Sequence, residues 1–211
     1  MKYKEELLSG RIPQIKKAAK IIRKENLGGY GELLHNALAS EIEKTRSWET
    51  QLELIYAIAL TGCIEEVPYL KELATREFSA TPVVYRALSF AIVYLQNIDK
   101  SVNVNLLYFY EALDSGNLLL AAGACAAIYK LKVDLASDDI RRIITYVTKP
   151  SYLEELGKVS NPIFFILALS YLWQSEYKDE IISKSKVLHN PIIDQIISNV
   201  MKNKPTNLDL F

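Results

Sequence analysis

Cysteine and histidine are scarce in this chain, two of each among 211 residues. Cys63 and Cys125 fall at or near the ends of apolar helices, where a small buried hydrophobe fits, so neither a disulfide framework nor a zinc site is read. His35 and His189 stand alone, with no Cys or carboxylate at metal-ligand spacing. An excess of one charge is also missing, since Lys+Arg and Asp+Glu both number 25. Proteins that chiefly hold nucleic acid carry a basic excess, because phosphate contacts dominate that affinity. The balance here disfavours that class, although a local patch is compatible with it. The longest apolar stretch, Ile163 to Trp173, is too short to span a bilayer. Met1 to Gly10 is charged and has no apolar core of a secretory signal. These absences lead us to expect a reduced, cytoplasmic protein with no membrane association, cofactor or metal.

Catalytic signatures are missing as well. There is no glycine-rich phosphate loop following a strand, no HExxH and no GxSxG. The glycines of Gly28-Gly29-Tyr30-Gly31 follow a helical pattern and read as a turn. Glu65-Glu66 and Asp138-Asp139 look like paired carboxylates, but both open helices, where the dipole accounts for acidic residues without acid–base work.

What is present is a repeat. Small residues sit at the centres of apolar helical segments at Ala57-Ile58-Ala59-Leu60, Ala91-Ile92-Val93-Tyr94, Ala127-Ile128-Tyr129-Lys130 and Ala168-Leu169-Ser170-Tyr171, with a weaker copy at Ala19-Lys20-Ile21-Ile22. The anchoring alanines lie 38, 34, 36 and 41 residues apart. Each is followed, after a short turn, by a second helix. A period of roughly 35–45 residues built from helix pairs is the mark of an α-solenoid.

Caps and breakers place the pairs. The first begins at Pro13, breaks at Gly28-Gly29 and continues through Leu33 to Ile42. Ser47 is positioned to cap the helix holding Trp48 to Leu60; Gly62 ends it, and Glu65-Glu66 open a helix with Val67, Leu70 and Leu73. The third pair starts at Thr81-Pro82, with a partner helix after Asp99 or Ser101 that holds Val102, Leu106, Phe109 and Leu113. The fourth opens at Asn117, and Ser137 caps its partner, which stops at Lys149-Pro150. The fifth opens at Asn161-Pro162, followed by helices from Ile181 to Leu188 and after Pro191; residues 151–160 add an extra turn between pairs four and five. No strand-type alternation of useful length appears, so the chain reads as all-α. Residues 1–202 form one domain in this reading, and 203–211 a flexible C-terminal tail.

The segment Ile55 to Leu73, reading IYAIALTGCIEEVPYLKEL, resembles the HEAT-like repeat family, with Ala57, Gly62, Val67, Pro68 and Leu70 where that family has small, turn and apolar residues. The resemblance implies a right-handed α-α superhelix of about five helix pairs whose second helices line a concave face. Superposing the second helices aligns Tyr69-Leu70-Lys71-Glu72 with Tyr108-Phe109-Tyr110-Glu111. Leu70 and Phe109 are then buried anchors, and Tyr69, Glu72, Tyr108 and Glu111 project, joined by Arg141, Arg142 and Thr145 from the fourth pair. Tyr and Arg are frequent binding hot spots, so these are the candidate partner-binding residues. The thirteen tyrosines, against six phenylalanines, point to the same chemistry.

The function this implies is a non-enzymatic scaffold or inhibitor for a protein partner, the bacterial immunity proteins that neutralise toxins being one form of it. The resemblance also admits a DNA glycosylase for alkylated purines, which uses a basic groove and tryptophans. Trp48 and Trp173, however, read as core. A scaffold serving lyase machinery shares only the repeat type. The last residues, Asn207-Leu208-Asp209-Leu210-Phe211, resemble the peptide that docks on the bacterial DNA sliding clamp, with Asn207 where Gln is usual and Leu208, Leu210 and Phe211 as apolar anchors. The opposing reading is a tail that folds back on the last repeat.

Overall fold

The computed structural model describes residues 2–99, 103–150, 153 and 162–209. Among these residues every regular element is a helix. In chain order they are α1 (Lys4–Leu7), α2 (Ile12–Glu25), α3 (Gly31–Glu41), α4 (Trp48–Leu60), α5 (Val67–Ala74), α6 (Val83–Gln96), α7 (Leu107–Asp114), α8 (Leu118–Leu131), α9 (Ser137–Val147), α10 (Pro162–Leu169), α11 (Ser175–Lys186) and α12 (Pro191–Met201). No helix among the described residues is long and apolar enough to cross a membrane.

Local chemistry explains most of the boundaries. Asn117 caps α8 by accepting hydrogen bonds from Leu119 and Leu120, and Asn190 caps α12 through Ile192. Four helices stop in the same way. Asn26, Gly62, Lys132 and Asn203 adopt left-handed backbone (φ 50°, 77°, 52° and 52°), and the next residue's N–H reaches back five residues to a helix carbonyl. This is the Schellman closure, which satisfies carbonyls that the helix end leaves without partners.

Other boundaries differ from the sequence reading. Ser47 precedes α4, but its hydroxyl donates to the carbonyls of Glu41 and Lys44 instead of capping α4. Gln51 joins it, its Nε2 donating to the carbonyls of Glu41 (2.8 Å), Ile42 (3.2 Å) and Lys44 (2.9 Å), so α4 side chains close the end of α3. Glu65 and Glu66 lie in a 3-10 turn before α5. Ser137 is the first residue of α9, and Leu106 precedes α7 instead of lying within it. Apart from Leu153, the expected extra turn at 151–160 and the residues Ser101, Val102 and Asn161 lie outside the described residues.

The helices sort into two sets by their contacts. The first set, α2, α4, α6, α8, α10 and α12, packs in consecutive contact along the chain. Within the second set, α3, α5, α7 and α9 each pack on the next member of the first: α3 on α4, α5 on α6, α7 on α8 and α9 on α10. One contiguous apolar core runs through all of them, from Tyr3 to Val200. The tightest approach is α6 against α8, where Ala121, Ala122, Gly123, Ala124, Ala126 and Ala127 are all buried. A Cβ on Gly123 would stand 2.1 Å from the carbonyl oxygen of Arg86. Gly123 and the alanines around it are therefore what lets the backbones of α6 and α8 meet. Across α8, the Arg86 guanidinium of α6 lies 5.8 Å from the ring of Phe165 in α10, so helices two steps apart touch on this side.

The first set is also tied by charge. Arg23 of α2 makes two hydrogen bonds to Glu53 of α4, at 2.8 and 3.3 Å, and Lys16 pairs with Glu49 on the same helices. Of the two tryptophans expected in the core, Trp173 is buried and Trp48 is 39% exposed at the start of α4.

Candidate interaction surface on the second helices

The second helices approach one another much less closely than the first, apart from contacts between α9 and α11. Side chains bridge the wider spacing. Between α3 and the turn before α5, His35 Nδ1 lies 2.6 Å from Glu66 Oε2, and the His35 ring sits 4.5 Å from that of Tyr69. Arg76 clasps the same junction, donating to Glu43 (2.7 Å) and to Glu72 (2.8 Å). Between α5 and α7 the Lys71 ammonium lies 5.3 Å over the Tyr108 ring. Between α7 and α9 the Arg142 guanidinium stacks 3.7 Å from the Tyr110 ring centroid and 3.8 Å from Asp114, while the Tyr110 hydroxyl donates to Asp139 at 2.6 Å. Between α9 and α11 Arg141 reaches Glu176 at 3.5 Å and lies 5.4 Å over Tyr177.

The outcome is a belt of cation–aromatic pairs and ion pairs running from α3 to α11. Each link is modest, about 0.5–1 kcal/mol for an exposed cation over a ring and no more for an exposed ion pair. Their collective role is to fix the spacing of helices whose backbones do not meet.

Most of the residues singled out in the sequence lie in or beside this belt, with different exposures. Arg141 and Arg142 are exposed, as are Glu72 and Glu111. Tyr69 is half-buried against His35. Tyr108 does not project; it is buried, as are Phe109 and Leu70. The helical spacing explains this, because Tyr108 and Ala112 are four residues apart on one face, and Ala112 is also buried. The superposition placed the anchors correctly but assigned their immediate neighbour to the wrong side. Tyr110, Tyr146, Tyr177 and His35 complete the belt and were missed. The only sequence signal for the three tyrosines is the surplus of that residue, which does not say which ring meets which cation, and His35 stood in the sequence as an isolated histidine with no sign of its pairing with Glu66.

Burial pushes the Tyr108 hydroxyl up to about 12, with the Glu111 charge adding to the shift. Burial and the hydrogen bond to Asp139 also push Tyr110 up. A tyrosine that resists ionisation when folded but not when unfolded stabilises the fold fully below its unfolded value near 10 and loses that contribution as pH rises toward the folded value. Thermal unfolding measured from pH 9 to pH 12 should therefore show a loss that Tyr108→Phe reduces. An identical pH profile in the variant would contradict the assignment.

Arg142 has the chemistry of a receptor group. Its flat guanidinium rests on Tyr110 while half its surface faces solvent, which leaves N–H donors available to an incoming carboxylate or carbonyl. Glu111, one residue beyond Tyr110, and Leu107, 66% exposed at the start of α7, border the same surface. No cluster of three or more metal-ligating side chains forms among the described residues. Cys125 is fully buried and its thiol is pushed up by burial; Cys63 is also buried and shifted the same way.

The last candidate residues separate from this surface. Leu208 is half-buried and packs against the core beside α8, on the side of the first helices. Leu210 and Phe211 lie outside the described residues. Comparison of the chain with protein-family models, with curated proteins and with solved structures finds no match.

Proposed function

We propose that this chain is a non-enzymatic α-solenoid of HEAT-like helix pairs that holds a protein partner, as a scaffold or an inhibitor, against the concave face lined by its second helices. The observation that carries this reading is the arginine–tyrosine belt across α7, α9 and α11, in which Arg142 stacks 3.7 Å from Tyr110. Such a surface combines rigid aromatic area with directional donors, the composition of protein-binding hot spots. The order of contacts supports the solenoid part of the proposal, because α2, α4, α6, α8 and α10, each carrying one alanine of the repeat, pack consecutively. That stacking is how repeat units that cannot bury an apolar face alone become stable. Exposed acids beside the belt, Glu72, Glu111 and Asp138, suit a partner with basic groups.

The test is affinity capture from the native host with the wild-type chain and with Arg141→Glu/Arg142→Glu. The expected result is a partner held by the wild type and lost, or weakened at least tenfold, in the double variant with its helicity unchanged. A partner retained at full affinity by the folded variant would remove the second helices from the binding face.

A further inference from the structure

We propose that the face of α8 around Tyr129 is a receptor for extended peptides, and that the segment following α12 occupies it in cis. This inference stands on observations independent of the second-helix belt.

The chain leaves α12 through the left-handed Asn203, and residues 204–209 adopt no regular structure. Lys204 donates its N–H to the Asn199 carbonyl at 2.9 Å, which turns the chain beyond it away from the helix. Pro205 then fixes its own backbone torsion. The Tyr129 hydroxyl donates to the carbonyl of Thr206 and accepts from the N–H of Leu208 at 3.4 Å. One side chain thus answers two main-chain groups two residues apart, whatever side chains they carry. Selectivity comes from the flanks. Asn199 Nδ2 donates to Thr206 Oγ1 at 3.2 Å, and Thr206 is buried, whereas Pro205 and Asn207 are exposed. Leu208 packs against the core, within a peptide whose alternate residues face inward.

A cavity of about 310 Å³ remains beside the docked segment, bounded by Tyr129, Lys130, Lys132 and the chain from Pro205 to Leu208. Lys130 and Lys132 are exposed there, and the residue after Leu208 is acidic. The occupant in trans is accordingly a segment of another protein, extended, with a small hydroxyl residue, any residue, an apolar residue and then an acidic one. It resembles the pattern Thr206-Asn207-Leu208-Asp209 that fills the site in cis. A tethered segment competes at a high effective concentration, so the cis occupant sets the threshold that a partner peptide must exceed.

The experiment uses the full chain and a dye-labelled peptide with the sequence of residues 203–211. Leu208→Asp in the protein removes the cis anchor without touching the helices. Fluorescence anisotropy should show the peptide binding Leu208→Asp at least tenfold more tightly than the wild type, with the gain lost on adding Tyr129→Phe. Equal affinity for wild type and Leu208→Asp, no binding to Leu208→Asp, or indifference to Tyr129→Phe would each overturn the proposal. Hydrogen exchange at the Leu208 amide in the wild type gives a second readout that needs no peptide. Tyr129→Phe should speed it at least tenfold, and unchanged exchange would count against the receptor role. Wild-type dimers that form with concentration and dissolve in Leu208→Asp would overturn it differently, by making a second copy of the chain the occupant.

Discussion

Replacing Gly123 with alanine is expected to destabilise the chain by about 3 kcal/mol, the upper part of the usual cost of overpacking. Propensity alone gives the opposite sign, since alanine in a helix interior is favoured over glycine by about 1 kcal/mol. The packing decides. The added carbon would stand 2.1 Å from the Arg86 carbonyl oxygen, 2.9 Å from the Phe90 nitrogen and 3.0 Å from the Arg86 carbonyl carbon. All three are backbone atoms of α6, so no side chain can rotate away and the helices must separate. That separation would disturb the most extensive helix–helix packing among the described residues and the Arg86–Phe165 contact that spans α8. In a domain of this size the change should lower the melting temperature by roughly 6–12 °C. Circular dichroism of thermal unfolding provides the measurement, with Gly28→Ala as the control, because nothing lies within 4 Å of a Cβ at Gly28. A melting temperature equal to or above the wild type's would refute the close α6–α8 packing.

Truncating Tyr108 to alanine is expected to cost about 3 kcal/mol, near the low end for removing a buried aromatic ring. Arg142→Ala should cost far less, because an exposed cation on a ring contributes little to stability. The contrast matters for function. Tyr108 is 8% exposed and the side chain of Arg142 is 50% exposed, so loss of a partner in Tyr108→Ala would report unfolding, whereas loss in Arg142→Ala would report the surface. Urea unfolding of the two variants side by side tests this. Comparable losses of stability would mean that the belt is a structural clasp with no spare capacity for a partner.

Tyr108 and its neighbours show how far the sequence could be read. Leu70 and Phe109 were legible as buried anchors because apolar periodicity in a helix is a property of the chain itself. The neighbouring Tyr108 was not, since an amphipathic ring is compatible with either face, and the choice depends on what the next helix presents. Ser47 and Ser137 carry the right chemistry for caps. Ser47 instead serves the preceding helix end, because α3 terminates within reach of its hydroxyl. The docking of Thr206 on Tyr129 joins positions 77 residues apart, and no local pattern encodes such a contact. The tail motif could be noticed in the sequence, but its site on α8 could not.

By itself, then, the sequence determined that this chain is built of helices, where most of them begin and end, and which small residues recur at their centres. Those outcomes arise from backbone torsions, capping and hydrophobic period, all of which act over a few residues. Tertiary structure alone decided that Gly123 has no room for a side chain, that Tyr108 is core while Arg142 is surface, and that Tyr129 meets the C-terminal segment. Each of these depends on distances between backbones far apart in the chain, which are set only when the helices pack.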